Sequence, residues 1–240
     1  MDISVYMPVY NGADFIKRCL DSVLSQEFNG TFEFVIVDDG SKDNTVELIK
    51  EYNDDRIKLF ECEHKGIVEA SNYGLDQCSG KYIARIDVDD VMLPNSLQLR
   101  YNFLEENPEY GMCHCGCIID YGCISYPHMY KEYEITLMNL LANTTMIHSC
   151  IMYKRDLNLR YEKEYEWAED MRFYLEASNS GVRIYNIKDI LIKKLIHSKS
   201  IGSSKQAIVF RQYVKAKKQY YKRFNGQHKK ITLKGDNTTL

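Results

Sequence analysis

Three aspartates fall within four positions of the stretch "YIARIDVDDVMLP", residues 82–94: Asp87, Asp89 and Asp90. Carboxylates this close repel one another and lose hydration when covered, so something positive must offset them. A divalent cation fits, because hard cations take oxygen ligands. The plainer reading is that the acids end a strand and cap a helix begun at Pro94 and Asn95, and the residues alone leave both open. A second pair, Asp38 and Asp39, lies in "VDDGS", where ordinary turn and N-cap chemistry also accounts for the acids. A third, Glu169 and Asp170, opens the pattern "WAEDMRFYL". Acids in a first turn are stabilised by the helix dipole, and Trp167, Met171, Tyr174 and Leu175 read as the buried side of that helix. His148 and His197 are by default packing or surface histidines, and neither His64 nor His114 carries a functional signal.

These residues need elements to hold them. Four segments rich in Val, Ile, Phe and Tyr recur in the first half, "ISVYMPVY", "FEFVIVDD", "RIKLFEC" and "YIARIDV". Helical patterns lie between them: "DFIKRCLDSVL", and "TVELIKEY" behind Asn44, with Glu47 placed for a capping box. Alternating strand and helix predicts right-handed crossovers and a mainly parallel sheet, in which ligands collect at the carboxyl ends of the strands. "VDDGS" and "DVDD" each follow a strand, so both acidic clusters are expected on one edge. The second half is less regular. A strand near 111–119, a loop-rich stretch from Tyr121 to Lys131, "CIMYKRDL" and the helix of "AEDMRFYLEASNSG" follow, with Gly181 as its C′ residue.

With 240 residues and 45% hydrophobic content, one sizeable core, or one core plus a small appendage, is expected. A strand begins by Ile3 and no apolar run is long enough to cross a bilayer, which reads as a cytosolic chain. Cys113, Cys115 and Cys117 alternate along a strand, as small buried thiols on one face do; no paired C-x-x-C supports zinc. The formal charge of -3 divides unevenly. From Lys205 to Leu240 ten Lys/Arg face one acid, Asp236, giving +9 there and -12 over residues 1–204. In that basic segment Ile208, Tyr213, Ala216, Tyr220 and Phe224 recur near helical spacing. Such a helix suits an anionic membrane surface or docking on the chain's own acidic body. Nucleic acid is disfavoured, since the remainder is acidic and no recognition motif is present.

Taken in order, "SVYMPVYNG", Gln26 after a helix, "VIVDDGSKD", "GIVEASNYGL", "GKYIARIDVDDVMLP", "IHSCIMYKRDL", "AEDMRFYL" and "KLIHSKSI" resemble glycosyltransferase family 2 over residues 3–201. The resemblance implies an α/β, GT-A (Rossmann-like) fold with a mainly parallel central sheet flanked by helices. Residues 1–204 would form the glycosyltransferase domain, 1–110 binding the nucleotide-sugar and 111–204 the acceptor, with 205–240 a basic helix and tail. It implies that Pro8, Val9 and Tyr10 hold the base and that Asp39 reads the uracil edge, with Asp38 beside it. Asp87 and Asp89 would support ribose and diphosphate through Mg²⁺ or Mn²⁺, with Asp89 the direct ligand and His197 contacting the diphosphate or metal. Asp170 would be the catalytic base, with Glu169 before it.

One position departs from the family pattern: Ser71 stands in "EASNYG" where many relatives carry Arg, which predicts a lost phosphate or base contact, with UDP still the favoured nucleotide. The Gln-x-x-Arg-Trp signature of processive polymerases is absent. The expected activity is therefore inverting, non-processive transfer of a hexosyl or N-acetylhexosaminyl group from a UDP-sugar to a hydroxyl of a polysaccharide or lipid-linked oligosaccharide. A sugar nucleotidyltransferase is a rival, but "MPVYNGADFIKR" is not its Gly-rich basic loop. A non-catalytic nucleotide- or glycan-binding module of the same fold is the other, and Asp89 and Asp170 argue against it.

Overall fold

The computed structural model describes residues 1–128, 131–142, 146–165, 168–198 and 206–227. The expected first-half elements form: strands β1 (Ile3–Val9), β2 (Phe32–Asp38), β3 (Ile57–Glu61) and β4 (Tyr82–Arg85), with helices α1 (Ile16–Leu24), α2 (Thr45–Lys50) and α3 (Ile67–Gln77) between them. β1 pairs in parallel with β2 and β4, and β2 with β3. In the second half come β5 (Val91–Met92), α4 (Ser96–Glu106), β6 (Met112–Asp120), β7 (Ser125–His128), β8 (Tyr133–Ile135), α5 (Leu137–Ala142), β9 (Ile151–Lys154), α6 (Glu169–Asn179), β10 (Ile184–Leu195) and α7 (Gln206–Gln227).

One sheet runs through both halves in the order β3-β2-β1-β4-β9-β6-β10-β5, with β7 beside β6 and β8 beside β10. The parallel pairing expected from crossovers holds across β3-β2-β1-β4 and again for β6 with β10. β9 enters antiparallel to both β4 and β6, and β5, β7 and β8 also pair antiparallel, so the sheet is mixed. The stretch read as loop-rich contains β7, a strand exposed along its whole length and thus without the buried alternation that marks strands in sequence.

Side chains alternate across the sheet and feed two cores. Ile3, Val5, Met7 and Val9 of β1 pack with Ile16, Leu20 and Val23 of α1, Ile49 of α2, and Leu97 and Leu104 of α4. Tyr6 points the other way, into a core with Val68 and Leu75 of α3, Leu140 of α5 and Phe173, Tyr174 and Leu175 of α6. Cys113, Cys115 and Cys117 are buried together in the first core, as their alternation indicates. Trp167 lies outside the described residues.

Capping differs from the simple reading. Asn44 makes no side-chain cap on α2; Asp43 instead accepts from the Thr45 N–H at 3.2 Å. Asn95 adopts a left-handed φ of 62° and does not cap α4 with its side chain. Gln26 accepts the Leu97 N–H at 3.2 Å and donates to the Leu93 carbonyl at 2.9 Å. None of these bonds uses Asp87, Asp89 or Asp90.

Candidate active site

The site grows from the carboxyl ends of parallel strands. Val9 pairs with Asp38 in register, and the Asp39 N–H donates to the Val9 carbonyl at 2.8 Å. The Ile86 N–H donates to the Tyr6 carbonyl at 3.1 Å, so β4 delivers Asp87 beside the end of β1. β2 and β4 flank β1, which sets their ends about 10 Å apart at ordinary strand spacing. Both acidic clusters stand on one edge, as expected. A cleft lined by Lys81, Glu105, Lys154 and Arg155 opens around the first residues of β4 instead and includes none of these acids.

On the β1–β2 side, Pro8 and Val9 are buried strand residues, while Tyr10 is exposed and stacks on His64 at 4.1 Å. The loops after β1 and β2 are laced together: the Gly12 N–H donates to Thr45 Oγ1 at 2.8 Å and the Lys42 N–H to Asn11 Oδ1 at 2.7 Å. Asp39 is 3% exposed, and its carboxylate accepts the N–H groups of Lys65 (2.8 Å) and Gly66 (2.9 Å), with His64 Nδ1 at 2.8 Å. It therefore shapes the wall ahead of α3, and Gly66 turns there at a φ of 95° that favours glycine. Asp38 Oδ2 accepts the Ser41 N–H at 3.0 Å, and its Oδ1 is buried without a hydrogen-bond partner among the described residues.

The β4 cluster is held by groups of two signs. One ligand atom from each of Asp87, Asp89 and Asp90 lies within 4.8 Å of the others. Arg85, 3% exposed, donates to Asp87 Oδ1 from Nη2 at 2.8 Å and from Nε at 3.2 Å. Burial alone would raise the Asp87 carboxyl; the charge and hydrogen bonds of Arg85, together with Lys194 and His148, outweigh it and bring it down to about 2. Asp90 is fully buried, accepts from the Ser149 hydroxyl, and has Lys194 Nζ at 3.6 Å. Burial pushes its carboxyl up to about 7 despite that lysine. Asp89 is half-buried and its Oδ2 meets His197 Nε2 at 3.0 Å, which brings His197 from the end of β10 to the acidic motif. Three clustered carboxylates with one imidazole at their rim form a donor set suited to a hard divalent cation, Asp89 having the fewest competing bonds.

Sequence reasoning missed Arg85. Its Nη1 donates to the Ser71 hydroxyl at 3.2 Å and to the Tyr6 hydroxyl at 2.9 Å. A guanidinium thus stands against the side chain at position 71, delivered by β4 and not by α3. An arginine inside a strand otherwise buried on both faces was the available signal, since buried arginines are rare unless paired. From Tyr6 the polar chain continues to the Tyr161 hydroxyl at 2.5 Å, then to His148 Nε2 at 2.6 Å, and His148 Nδ1 meets the Tyr174 hydroxyl. His148 is 7% exposed, and burial lowers its basicity well below the usual range. It is a core histidine, as its default reading holds.

Asp170 lies in the first turn of α6, half-buried, with the Met171 N–H donating to its Oδ1 at 2.6 Å. Burial raises its carboxyl above the ordinary range, and the Asp87 charge adds to the rise, so the two carboxylates sense one another across the site. Burial and the Asp170 charge push Glu169 up to about 8. The structure also brings Tyr213 of α7 to this carboxylate, a contact 43 residues away in sequence that no motif signals. α7 docks through Tyr213, Ala216 and Tyr220, the last beneath the Arg172 guanidinium at 4.9 Å; the side chains of Ile208 and Phe224 lie outside the described residues.

The family model described as glycosyl transferase family 2 matches residues 4–161, more than half of the chain. The chain belongs to glycosyl transferase family 2. It is 29% identical over 215 residues, 88% of its length and 83% of the relative's, to the Escherichia coli UDP-Glc:alpha-D-GlcNAc-diphosphoundecaprenol beta-1,3-glucosyltransferase WfgD. Several other curated relatives are longer, and the chain spans 67%, 64% and 64% of three of them. Among solved structures, Staphylococcus aureus TarS 1-349 in complex with UDP-GlcNAc superposes with a TM-score of 0.74 at 24% identity, covering 95% of this chain and 72% of that one. The mannosyltransferase PcManGT from Pyrobaculum calidifontis, in complex with GDP-Man and Mn²⁺, gives 0.70 at 18% identity, covering 92% and 64%. These place the chain in the GT-A fold.

Proposed function

We propose that this family 2 glycosyltransferase moves a hexosyl or N-acetylhexosaminyl group from a UDP-sugar to a hydroxyl of a polysaccharide or lipid-linked oligosaccharide, one sugar per encounter and with inversion. The observation that carries the reading is a pair of distinct acidic groups close enough to feel one another's charge: the Asp87–Asp89–Asp90 cluster, and the separate Asp170 at the head of α6. Breaking a sugar–phosphate bond leaves charge on the departing diphosphate, while the attacking hydroxyl needs a base on the opposite side. Two differently tuned carboxylate sites meet those two needs. The UDP-Glc and diphosphoundecaprenol in the name of WfgD, and the UDP-GlcNAc bound to TarS, support the donor and acceptor classes.

Asp89, with Asp87 and His197 beside it, would hold Mn²⁺ or Mg²⁺. Such a cation, when bound, offsets diphosphate charge without a proton transfer. Tyr10 offers its exposed ring to a nucleobase, with Pro8, Val9, Asp38 and Asp39 forming the wall behind it. Ser71 acts with Arg85: the pair puts a positive group under the donor site and keeps Asp87 ionised and oriented. Asp170 takes the proton of the acceptor hydroxyl as it attacks the anomeric carbon. Its raised pKa makes it a stronger base than a solvated aspartate. In this reading residues 1–110 bind the donor and 111–204 the acceptor, except that His197 reaches back to the donor-side carboxylates. Among the described residues no helix is long and apolar enough to cross a membrane. The outer side of α7 carries exposed Arg211 and Lys218, with Phe210 and Tyr221 exposed beside them, which supports peripheral contact with an anionic inner membrane face.

The test is calorimetric titration with UDP, with and without Mn²⁺, followed by turnover of UDP-sugars by wild type and Asp170→Asn. Metal-dependent UDP binding in both proteins, with turnover lost only in the variant, is expected. Near-normal turnover in Asp170→Asn would remove the base; failure to bind UDP, GDP, CDP or dTDP would favour a non-catalytic module.

A further inference from the structure

The Tyr213 hydroxyl lies 2.7 Å from Asp170 Oδ1 and 2.6 Å from Oδ2. It therefore sits in the mouth of the carboxylate, donating to both oxygens. A hydroxyl that hands its proton to the carboxylate from the side shared by its two oxygens occupies that same place, within about 2.6–3.2 Å. Tyr213 comes from α7, not from the scaffold that presents Asp170. α7 is held against α6 by buried Ala216 and by Tyr220 beneath Arg172, and Gln219 meets the Tyr165 hydroxyl in the turn ahead of α6. Lys215 and Glu164 add a pair at 3.7 Å that is exposed on both sides, and such surface pairs contribute little. The opposite face of α7 presents exposed cations and the 67% exposed Phe210. The helix thus has a hydroxyl-bearing inner face seated on the base and an outer face free to engage something else.

We propose that Tyr213 stands in for the acceptor hydroxyl on Asp170, so that α7 covers the acceptor subsite and an incoming hydroxyl must displace it. This rests on Asp170 being the base. Only one hydroxyl can take the position between the two carboxylate oxygens, so the phenol and the substrate compete for it. The phenol itself is a poor nucleophile while it keeps its proton, and burial with the Asp170 charge raises its pKa far above the usual tyrosine value. It closes the site without reacting. The subsite it marks takes a neutral hydroxyl, with the half-buried Glu169 alongside.

Water can serve as the probe acceptor. In hydrolysis its oxygen bonds to the anomeric carbon, its proton passes to Asp170, and the anomeric carbon–oxygen bond breaks with the electron pair leaving on UDP. UDP release from UDP-glucose and from UDP-N-acetylglucosamine is measured in the 240-residue chain with Mn²⁺. Tyr213→Phe removes the hydroxyl and keeps the ring; hydrolysis is expected to rise about tenfold, the equilibrium value of one hydrogen bond to a charged group. Its acid limb should also move to higher pH, because the Tyr213 bond lowers the Asp170 pKa. Ala216→Arg, which wedges the buried face of α7 off α6, should give the same gain through a different residue. A fall in hydrolysis with UDP affinity unchanged would overturn the proposal and make Tyr213 a positioning residue, and an unchanged rate would overturn it by excluding competition. Asp170→Asn separates the two readings. If it stays inactive while Tyr213→Phe shows no gain, the proposal fails and the base stands; if it hydrolyses donor at the wild-type rate, the base fails and the proposal with it.

Discussion

Replacing Arg85 with Met tests the electrostatic foundation of the donor site. The guanidinium bonds Asp87 twice and reaches the hydroxyls of Tyr6 and Ser71, and all of these sit in or beside the core. Met preserves much of the volume and removes every donor. Deleting one partner of a buried ion pair costs about 3–5 kcal/mol, because the remaining charge stays desolvated. The Asp87 side chain keeps 30% exposure, so water recovers part of the loss and the expected cost is near the lower end, about 3 kcal/mol. That is a large share of the roughly 5–15 kcal/mol by which a domain is stable. Urea unfolding of wild type, Arg85→Met, Asp87→Asn and the double variant would measure it. Since the double variant strands no buried charge, it should cost less than the sum of the singles by about 1–3 kcal/mol. Asp87, no longer held down to about 2, should titrate higher in Arg85→Met, and UDP affinity with Mn²⁺ should fall. A cost below about 1 kcal/mol, or singles that add to within about 0.5 kcal/mol, would refute the account of Arg85 as the group that keeps Asp87 charged and in place.

Acid should destabilise the chain through His114, which accepts the Ile147 N–H at 3.1 Å, donates to Asn186 Oδ1 at 2.8 Å, and is lowered to about 4 by burial. The unfolded chain then binds the extra proton between pH 6.5 and 4, so about 3 kcal/mol present above pH 6.5 is lost as pH falls to 4, with no further loss from this group below. An NMR titration placing His114 near its ordinary value would contradict this. Asp89→Ala should abolish the Mn²⁺ dependence of UDP binding while leaving the melting temperature close to wild type; calorimetry showing unchanged metal-dependent affinity would count against Asp89 as the principal ligand. Gly80→Ala would push a methyl into the backbone of Ile3 and Ser4, which cannot swing aside, and should cost about 1–3 kcal/mol in a thermal melt. A neutral outcome would mean that the β1–β4 contact is looser than described.

How much was legible in advance follows from where the physical signal resides. The strands and helices of the first half declare themselves through local periodicity, and chain direction then forces "VDDGS" and "DVDD" to the same sheet edge, because parallel strands end together. Asp38, Asp39, Asp87 and Asp89 could therefore be gathered from sequence, whereas Asp170 was singled out only by the resemblance to the family. β7 could not, since an exposed strand has no alternating burial to betray it. Gln26 capping α4, Arg85 filling the space beside Ser71, and the hydroxyl chain from Tyr6 through Tyr161 and His148 to Tyr174 were equally hidden. Each joins residues far apart in sequence, and such pairings are set only when the elements pack. Tyr213 is the clearest instance: helical spacing marked it as one apolar position on a basic helix, but which surface that helix would cover was left open. The sequence by itself determined the types of chemistry available and the edge on which they gather. Tertiary structure alone decided which carboxylate is neutralised, which is raised, and which is occupied by the chain's own hydroxyl, because desolvation and partner geometry exist only once distant segments exclude water together.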